Sequence, residues 1–231
     1  MQRVTTPEIL DSTSCPTGEV ETSLRDLCRM NRWFGGVSTT RCLIQRVADA
    51  TAQNHFSLLE VAAGHGEVPR RAAQQLARKG IRVDVTDLDR KPSHLLRGHR
   101  AIVADALALP FYDGSFDLVS CSLFAHHLEA PELTDFCDEA LRVSRRAVLI
   151  NDLIRHPLHL ALVYAGFPLM RSYVSRVDGV ASVRRAYTPD EMKKMLSNGG
   201  GSDRGIEITC HYLFRMGIIL WKEAAARHAA H

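Results

Sequence analysis

Residues 57–66 read Ser-Leu-Leu-Glu-Val-Ala-Ala-Gly-His-Gly. An apolar run ends on an acid, Glu60, and small residues follow at alternate positions, Ala62, Gly64 and Gly66. A stretch with helical spacing, Val68 to Arg78, comes next. Strand, small-residue turn and helix in that order let backbone N–H groups approach a nucleoside-bearing ligand closely.

Working outward, strands and helices alternate. The spacing predicts a first strand at 57–62, a helix at 67–79 stopped by Gly80, and a second strand at 81–86. Further strands are expected at 101–103, 117–121 and 147–150, with Pro131 opening a helix that runs to about Val143. Thr188-Pro-Asp-Glu starts a late helix that ends near Asn198-Gly-Gly-Gly, and strands at 206–212 and 215–221 look antiparallel. Such alternation implies an α/β fold, a mostly parallel sheet with helices on both faces, whose ligands bind at the strand carboxyl ends. Ahead of it, Glu21 to Met30 and Thr39 to Ala52 have amphipathic spacing and are separated at Gly35-Gly36. Residues 1–20, rich in Thr, Ser and Pro, are expected to be loose, and the Ala/His-rich 224–231 to fray.

At 231 residues and 45% hydrophobic content the chain can bury one full core, so a single domain over 1–231 is expected. A formal net charge of +3 does not demand nucleic acid or an anionic membrane. None of the six cysteines forms a Cys-x-x-Cys pair and no Cys/His spacing matches a zinc site, so no metal is expected. With no signal-like start and no apolar run of about eighteen residues, a cytoplasmic protein without a membrane span is expected.

The acids fall at strand ends. Asp87, one β-α-β step after Glu60, can accept both hydroxyls of a ribose. Asp89 competes for that role; Asp87 is favoured because it directly follows the apolar run. Asp105 could accept the exocyclic amine of an adenine flanked by Ala106 and Leu107, or simply close an Asx-turn. His126 and His127 follow the fourth strand, beside the first strand's end, where an imidazole could take a proton from a phenol or enol or only brace the loop.

These segments together resemble the class I S-adenosylmethionine (SAM)-dependent methyltransferases, in the bacterial small-molecule branch near the quinone-biosynthesis enzymes. Leu-Glu-Val-Ala-Ala-Gly-His-Gly-Glu-Val-Pro resembles the family's first motif and Val-Thr-Asp-Leu-Asp its second. Asp105 to Val119 with His-His-Leu resembles the third and fourth, and Leu141 to Ile150 the approach to the fifth strand. The resemblance covers roughly 55–152 and implies a Rossmann-like three-layer sandwich whose seven-stranded sheet ends on an antiparallel strand. It implies SAM as cofactor. Gly64 and Gly66 would meet the methionine part, with Glu60 organising the turn and Ala62 standing where the family often has glycine. Asp87 with Leu88 would hold the ribose, Asp105 with Ala106 the adenine, and the backbone around Cys121 the sulfonium side.

Other classes fit less. A nicotinamide dehydrogenase needs a third glycine where Pro69 stands. Nucleic-acid methylation lacks an Asn/Asp-Pro-Pro-Tyr/Phe motif, a Pro-Cys nucleophile and a basic stripe. A non-catalytic SAM-binding protein stays open.

Residues 1–54 should form a helical cap and 55–231 the core, with an insertion at about 152–187 completing a lid. That insertion carries Tyr164, Phe167, Met170 and Tyr173, which suits an aromatic or lipid-like acceptor. His156, directly after the fifth strand, is a second candidate base; Arg184, Arg185 and Tyr187 could meet an acidic or phenolic group, and Arg32 the SAM carboxylate. The expected activity is O-methylation of a small phenolic, polyketide or quinone-like acceptor with His126 or His156 as base, by a monomer or homodimer. C-methylation of an activated ring is the alternative.

Overall fold

A computed structural model describes residues 1–10, 16–96, 98–198 and 205–222. The glycine run after Asn198 and the Ala/His-rich 224–231 lie outside them.

Alternating side chains set the layers. In β1 (His55–Val61), Phe56 and Leu58 face one way, Leu59 and Val61 the other, and all four are buried. β4 (Phe116–Ser122) and β5 (Ser144–Leu153) repeat the pattern: Leu118, Ala147 and Leu149 join Phe56, while Val119, Val148 and Ile150 join Leu59. A strand buried on both faces needs cover on both. On the first face α2 (Gly36–Thr51) supplies Leu43, Ile44 and Val47, and α3 (Glu67–Ala77) supplies Ala72 and Leu76. On the second, α4 (Ala130–Val143) contributes Leu133, Phe136 and Ala140, and α7 (Pro189–Asn198) Met192 and Leu196. The result is a three-layer sandwich.

Adding β2 (Arg82–Asp89), β3 (Ala101–Val103), β6 (Ile206–His211) and β7 (Arg215–Trp221), the seven-stranded sheet runs β3-β2-β1-β4-β5-β7-β6. Only β7 runs against the rest: it pairs antiparallel with both β5 and β6, as expected. The chain winds from β1 outward through β2 and β3, then returns to lay β4 on β1's other side. That reversal opens a crevice beyond the carboxyl ends of β1 and β4.

The cap and insertion cover the crevice. α1 (Thr17–Trp33) turns into α2 at Gly35, whose φ is +84° and where a Cβ would stand 2.7 Å from the Tyr212 carbonyl oxygen. Only glycine meets both demands. The insertion is α5 (Pro157–Ala165) and α6 (Tyr173–Arg185), with a single 3-10 turn, Phe167–Leu169, between them. Residues 1–10 are not loose. They form a strap across α6: the Val4 N–H donates to the Arg184 carbonyl at 3.1 Å, and the N–H groups of Ile9 and Leu10 donate to the Asp178 carboxylate at 2.8 and 2.9 Å. These partners sit more than 160 positions away, so local composition could not reveal them.

Candidate active site

The crevice encloses a cavity of about 580 Å³, floored by the ends of β1, β2 and β4 and roofed by α1, α6 and the strap. That volume lies within the range of small-molecule pockets.

At the β1–β3 end, Glu60, Ala62, Gly64, Gly66, Leu88, Asp105 and Ala106 all line the cavity. Ala62 has φ +53°, the left-handed region that costs an L-residue about 1–2 kcal/mol, which accounts for glycine being the easier occupant there. Gly66, at φ +58°, packs against the Asp87 carboxylate so tightly that any Cβ would overlap Oδ1. Glu60 is buried and accepts the Ser120 hydroxyl; burial pushes its carboxyl up to about 7 against those hydrogen bonds.

Asp87 is not a lining residue. It is buried beneath the turn, paired with Arg70, and burial raises its carboxyl despite that partner. The lining acid is Asp89. β2 continues through it, so the strand ends three residues later than the expected 81–86. Asp89 Oδ2 accepts the Gly64 N–H at 3.0 Å and Oδ1 the Lys91 N–H at 2.9 Å. Burial pushes this carboxyl up, but His94 and those two N–H groups outweigh it and hold it below the ordinary range. Asp105 Oδ1 accepts the Leu107 N–H at 2.9 Å, so it closes an Asx-turn and lines the cavity as well. Cys121 is buried in the core with its thiol pushed well up; Ser122, Leu123 and Phe124 carry the lining there.

The loop after β4 brings His126 and His127 to the cavity. His126 Nδ1 meets Asp152 Oδ1 at 2.7 Å, and its backbone N–H donates to Oδ2 at 2.9 Å. Its Nε2 lies 3.4 Å from Glu8 Oε1, on the strap. Burial opposes the charge, yet Asp152 and Glu8 raise this imidazole to about 10. Both of its ring nitrogens thus face carboxylates, Nδ1 that of Asp152 and Nε2 that of Glu8. Glu8 is buried too; burial raises its carboxyl, but His126, His127 and the Ser182 hydroxyl bring it below the ordinary value.

At the β5–β7 end the expected residues and the lining residues differ. His156 is exposed, caps α5 by accepting the Leu158 N–H at 3.1 Å, and stacks on Phe214 outside the cavity. One helical turn on, His159 lines the cavity with 9% exposure. Its Nδ1 faces the Ile154 carbonyl at 2.9 Å. A carbonyl only accepts, so Nδ1 carries the proton and Nε2 is left as an acceptor. Burial, opposed by that carbonyl and aided by nearby Arg215, lowers its pKa, so the ring is neutral. Arg215, on β7, donates to Asn31 Oδ1 at 2.6 Å and the Phe34 carbonyl at 3.3 Å, while its buried Nη1 has no partner among the described residues. Burial lowers its pKa to about 10. The apolar part of the same cavity wall includes Leu153, Leu162, Met170, Val183 and Leu213.

Three expected acceptor contacts lie elsewhere. Tyr164 is half exposed and packs on Phe167. Arg184 points to solvent, although its neighbour Arg185 lines the cavity. The Tyr187 hydroxyl donates to the Leu128 carbonyl at 2.7 Å beneath the Arg3 guanidinium. Arg32 is likewise exposed on the outer side of α1.

Comparison with known proteins shows what the chain is similar to. Residues 59–150 match the family model described as a methyltransferase domain. A demethylmenaquinone methyltransferase of Thermotoga maritima is 27% identical over 180 residues, 70% of this chain and 74% of that protein. A SAM-dependent methyltransferase from Aquifex aeolicus superposes with TM-score 0.58 at 13% identity, over 88% of this chain and 97% of that one. The plantazolicin methyltransferase BpumL, solved with a monoazolic desmethylPZN analog and SAH, gives TM-score 0.61 at 14% identity, over 89% and 87%. At these identities the superpositions speak for the fold alone. The chemistry of the lining suits such a cofactor: the Gly64–Gly66 turn and two carboxylates, Asp89 and Asp105, face the same cavity.

Proposed function

We propose that this SAM-dependent methyltransferase moves the methyl group to an oxygen of a small phenolic, polyketide or quinone-like acceptor, with His159 as general base. The observation that carries this reading is a neutral, inward-facing imidazole at the apolar end of the cavity, opposite the two carboxylates that suit a nucleoside. The T. maritima relative is named for a quinone precursor, which agrees with such an acceptor.

In this reading Asp89 holds the ribose hydroxyls, in place of Asp87, and Asp105 with Ala106 the adenine. Gly64 and Gly66 lie against the methionine part, with Glu60 beneath the turn. Bound SAM supplies an activated methyl on a sulfonium, so the protein's part is positioning, dehydration and one proton. The apolar wall of Leu153, Leu162, Met170 and Val183 excludes water around the acceptor. His159 Nε2 takes the hydroxyl proton, and the Ile154 carbonyl holds the resulting imidazolium through Nδ1–H. Arg215, with Nη1 unpartnered, stabilises the oxyanion that forms. Deprotonating a phenol also makes its ring carbons nucleophilic, so the same base serves C-methylation.

His159→Asn should lower kcat about 10²- to 10⁴-fold against a panel of phenols with labelled SAM, with SAM affinity unchanged. His156→Ala should stay near the parent rate. Turnover of His159→Asn at the parent rate would refute the base assignment, and product NMR separates O- from C-methylation.

A further inference from the structure

One cluster in the cavity wall has no part in that proton transfer. Glu8 Oε1 lies 3.4 Å from His126 Nε2 and 3.6 Å from His127 Nε2, and the three ligand atoms all fall within 4.8 Å of one another. Ligands about 2.0–2.1 Å from a tetrahedral ion stand roughly 3.3–3.5 Å apart along each edge. The spacing between the carboxylate and each imidazole matches that edge. Among the described residues His126 Nε2, in a residue only 2% exposed, has no well-aligned hydrogen bond and faces Glu8.

The surroundings are those of a built ligand set. Asp152 meets His126 Nδ1 at 2.7 Å, which aims Nε2 at Glu8 and His127. A carboxylate behind a ligating histidine is the usual device for fixing its ring and raising its basicity. The Ser182 hydroxyl donates to Glu8 Oε1 at 2.6 Å and fixes the carboxylate from the other side. Metal binding displaces the proton that Asp152 and Glu8 favour on His126, and the two carboxylates then face the ion and its ligands. The nearby cations are turned to other partners: Arg3 to the His126 and Leu128 carbonyls and Glu129, Arg185 to the His127 carbonyl.

We propose that Glu8, His126 and His127 form a binding site for a divalent transition-metal ion, with Asp152 and Ser182 orienting the ligands. Two imidazoles and one carboxylate suit zinc, cobalt, manganese or ferrous iron better than the hard magnesium or calcium ions. Three protein ligands leave at least one coordination position open, and all three residues line the cavity. The ion ties the strap to the loop after β4. No sequence spacing announces the site, because Glu8 reaches it from the far end of the chain. The inference is independent of the acceptor and base assigned above.

The chelator-stripped full chain, titrated with Co²⁺ by calorimetry and visible absorption, tests it. One Co²⁺ per chain is expected, with the d–d bands of a four- or five-coordinate ion. Glu8→Gln and His127→Asn should each weaken affinity at least about tenfold, and Asp152→Asn about 10- to 100-fold, while exposed His55→Ala changes nothing. Cooperative thermal unfolding confirms that each variant is folded. Glu8 lies outside the sheet, so its variant decides alone if the others fail to fold. No binding by the parent, or binding that Glu8→Gln leaves at parent strength, overturns the site.

Discussion

Replacing Glu60 by glutamine should make the ligand-free protein more stable, and increasingly so as pH rises. The carboxyl is wholly buried and burial lifts it from an ordinary 4.5 to about 7, with Asp87 adding to the lift and Ser120, Ser122 and Arg70 opposing it. A folded value above the unfolded one means the native state holds this proton more tightly. The stabilisation is fully present below about pH 4.5 and is lost as pH rises through about 7. The gap of 2.5 pH units, from 7 minus 4.5, corresponds to about 3–4 kcal/mol at about 1.4 kcal/mol per unit. Glutamine keeps the shape, can still bond Ser120, and has no proton to lose. The variant-minus-parent difference in unfolding free energy should therefore grow by about 2–3 kcal/mol between about pH 5 and about pH 8. In melting temperature that is about 5–10 °C for a chain of this size. Denaturant titrations of both proteins across that range read it directly, since groups away from the site cancel in the difference. A difference that stays flat with pH would refute the raised carboxyl. A bound cation would favour the ionised form, so SAM affinity should rise with pH more steeply in the parent than in Glu60→Gln.

Two further outcomes follow from the same turn. Asp89→Ala should weaken SAM binding by at least about tenfold, as loss of hydrogen bonds to a charged group costs about 1.5–3 kcal/mol, whereas Asp87→Asn should act mainly on the melting temperature; calorimetry and thermal unfolding of both variants separate the roles. Ala62→Gly should relieve the left-handed strain and stabilise the fold by up to about 1 kcal/mol, read as a shifted denaturation midpoint; a destabilised variant would show that the Ala62 methyl packs usefully in the cavity wall.

How far the sequence reached depended on the range of the interaction. The turn at 60–66, the alternating strands and the capped helices are local patterns, and each stands within a few residues of its expected place. Asp87 was preferred to Asp89 because the apolar run stops early, yet β2 continues on polar residues because it lies between β1 and β3. His156 and His159 differ by one helical turn: the first has its ring drawn out to cap α5, and the second swings inward. Only the path of the chain at Pro157 decides between them. Glu8 and Arg215 lie furthest from sequence reasoning, since each gains its role from partners on elements remote in the chain.

The strap also bears on the order in which the molecule is assembled. Its hydrogen bonds join residues as much as 182 positions apart, from the Arg3 side chain to the Arg185 carbonyl. The surface it rests on, α6 and the loop after β4, exists only once the sheet and insertion are in place. Closing so long a loop is slow and comes late, so residues 1–10 are expected to dock on a sheet and insertion already formed. The same order makes the strap the expected site of local opening, and its amide hydrogens should exchange faster than those of the sheet, which hydrogen-exchange measurements read directly.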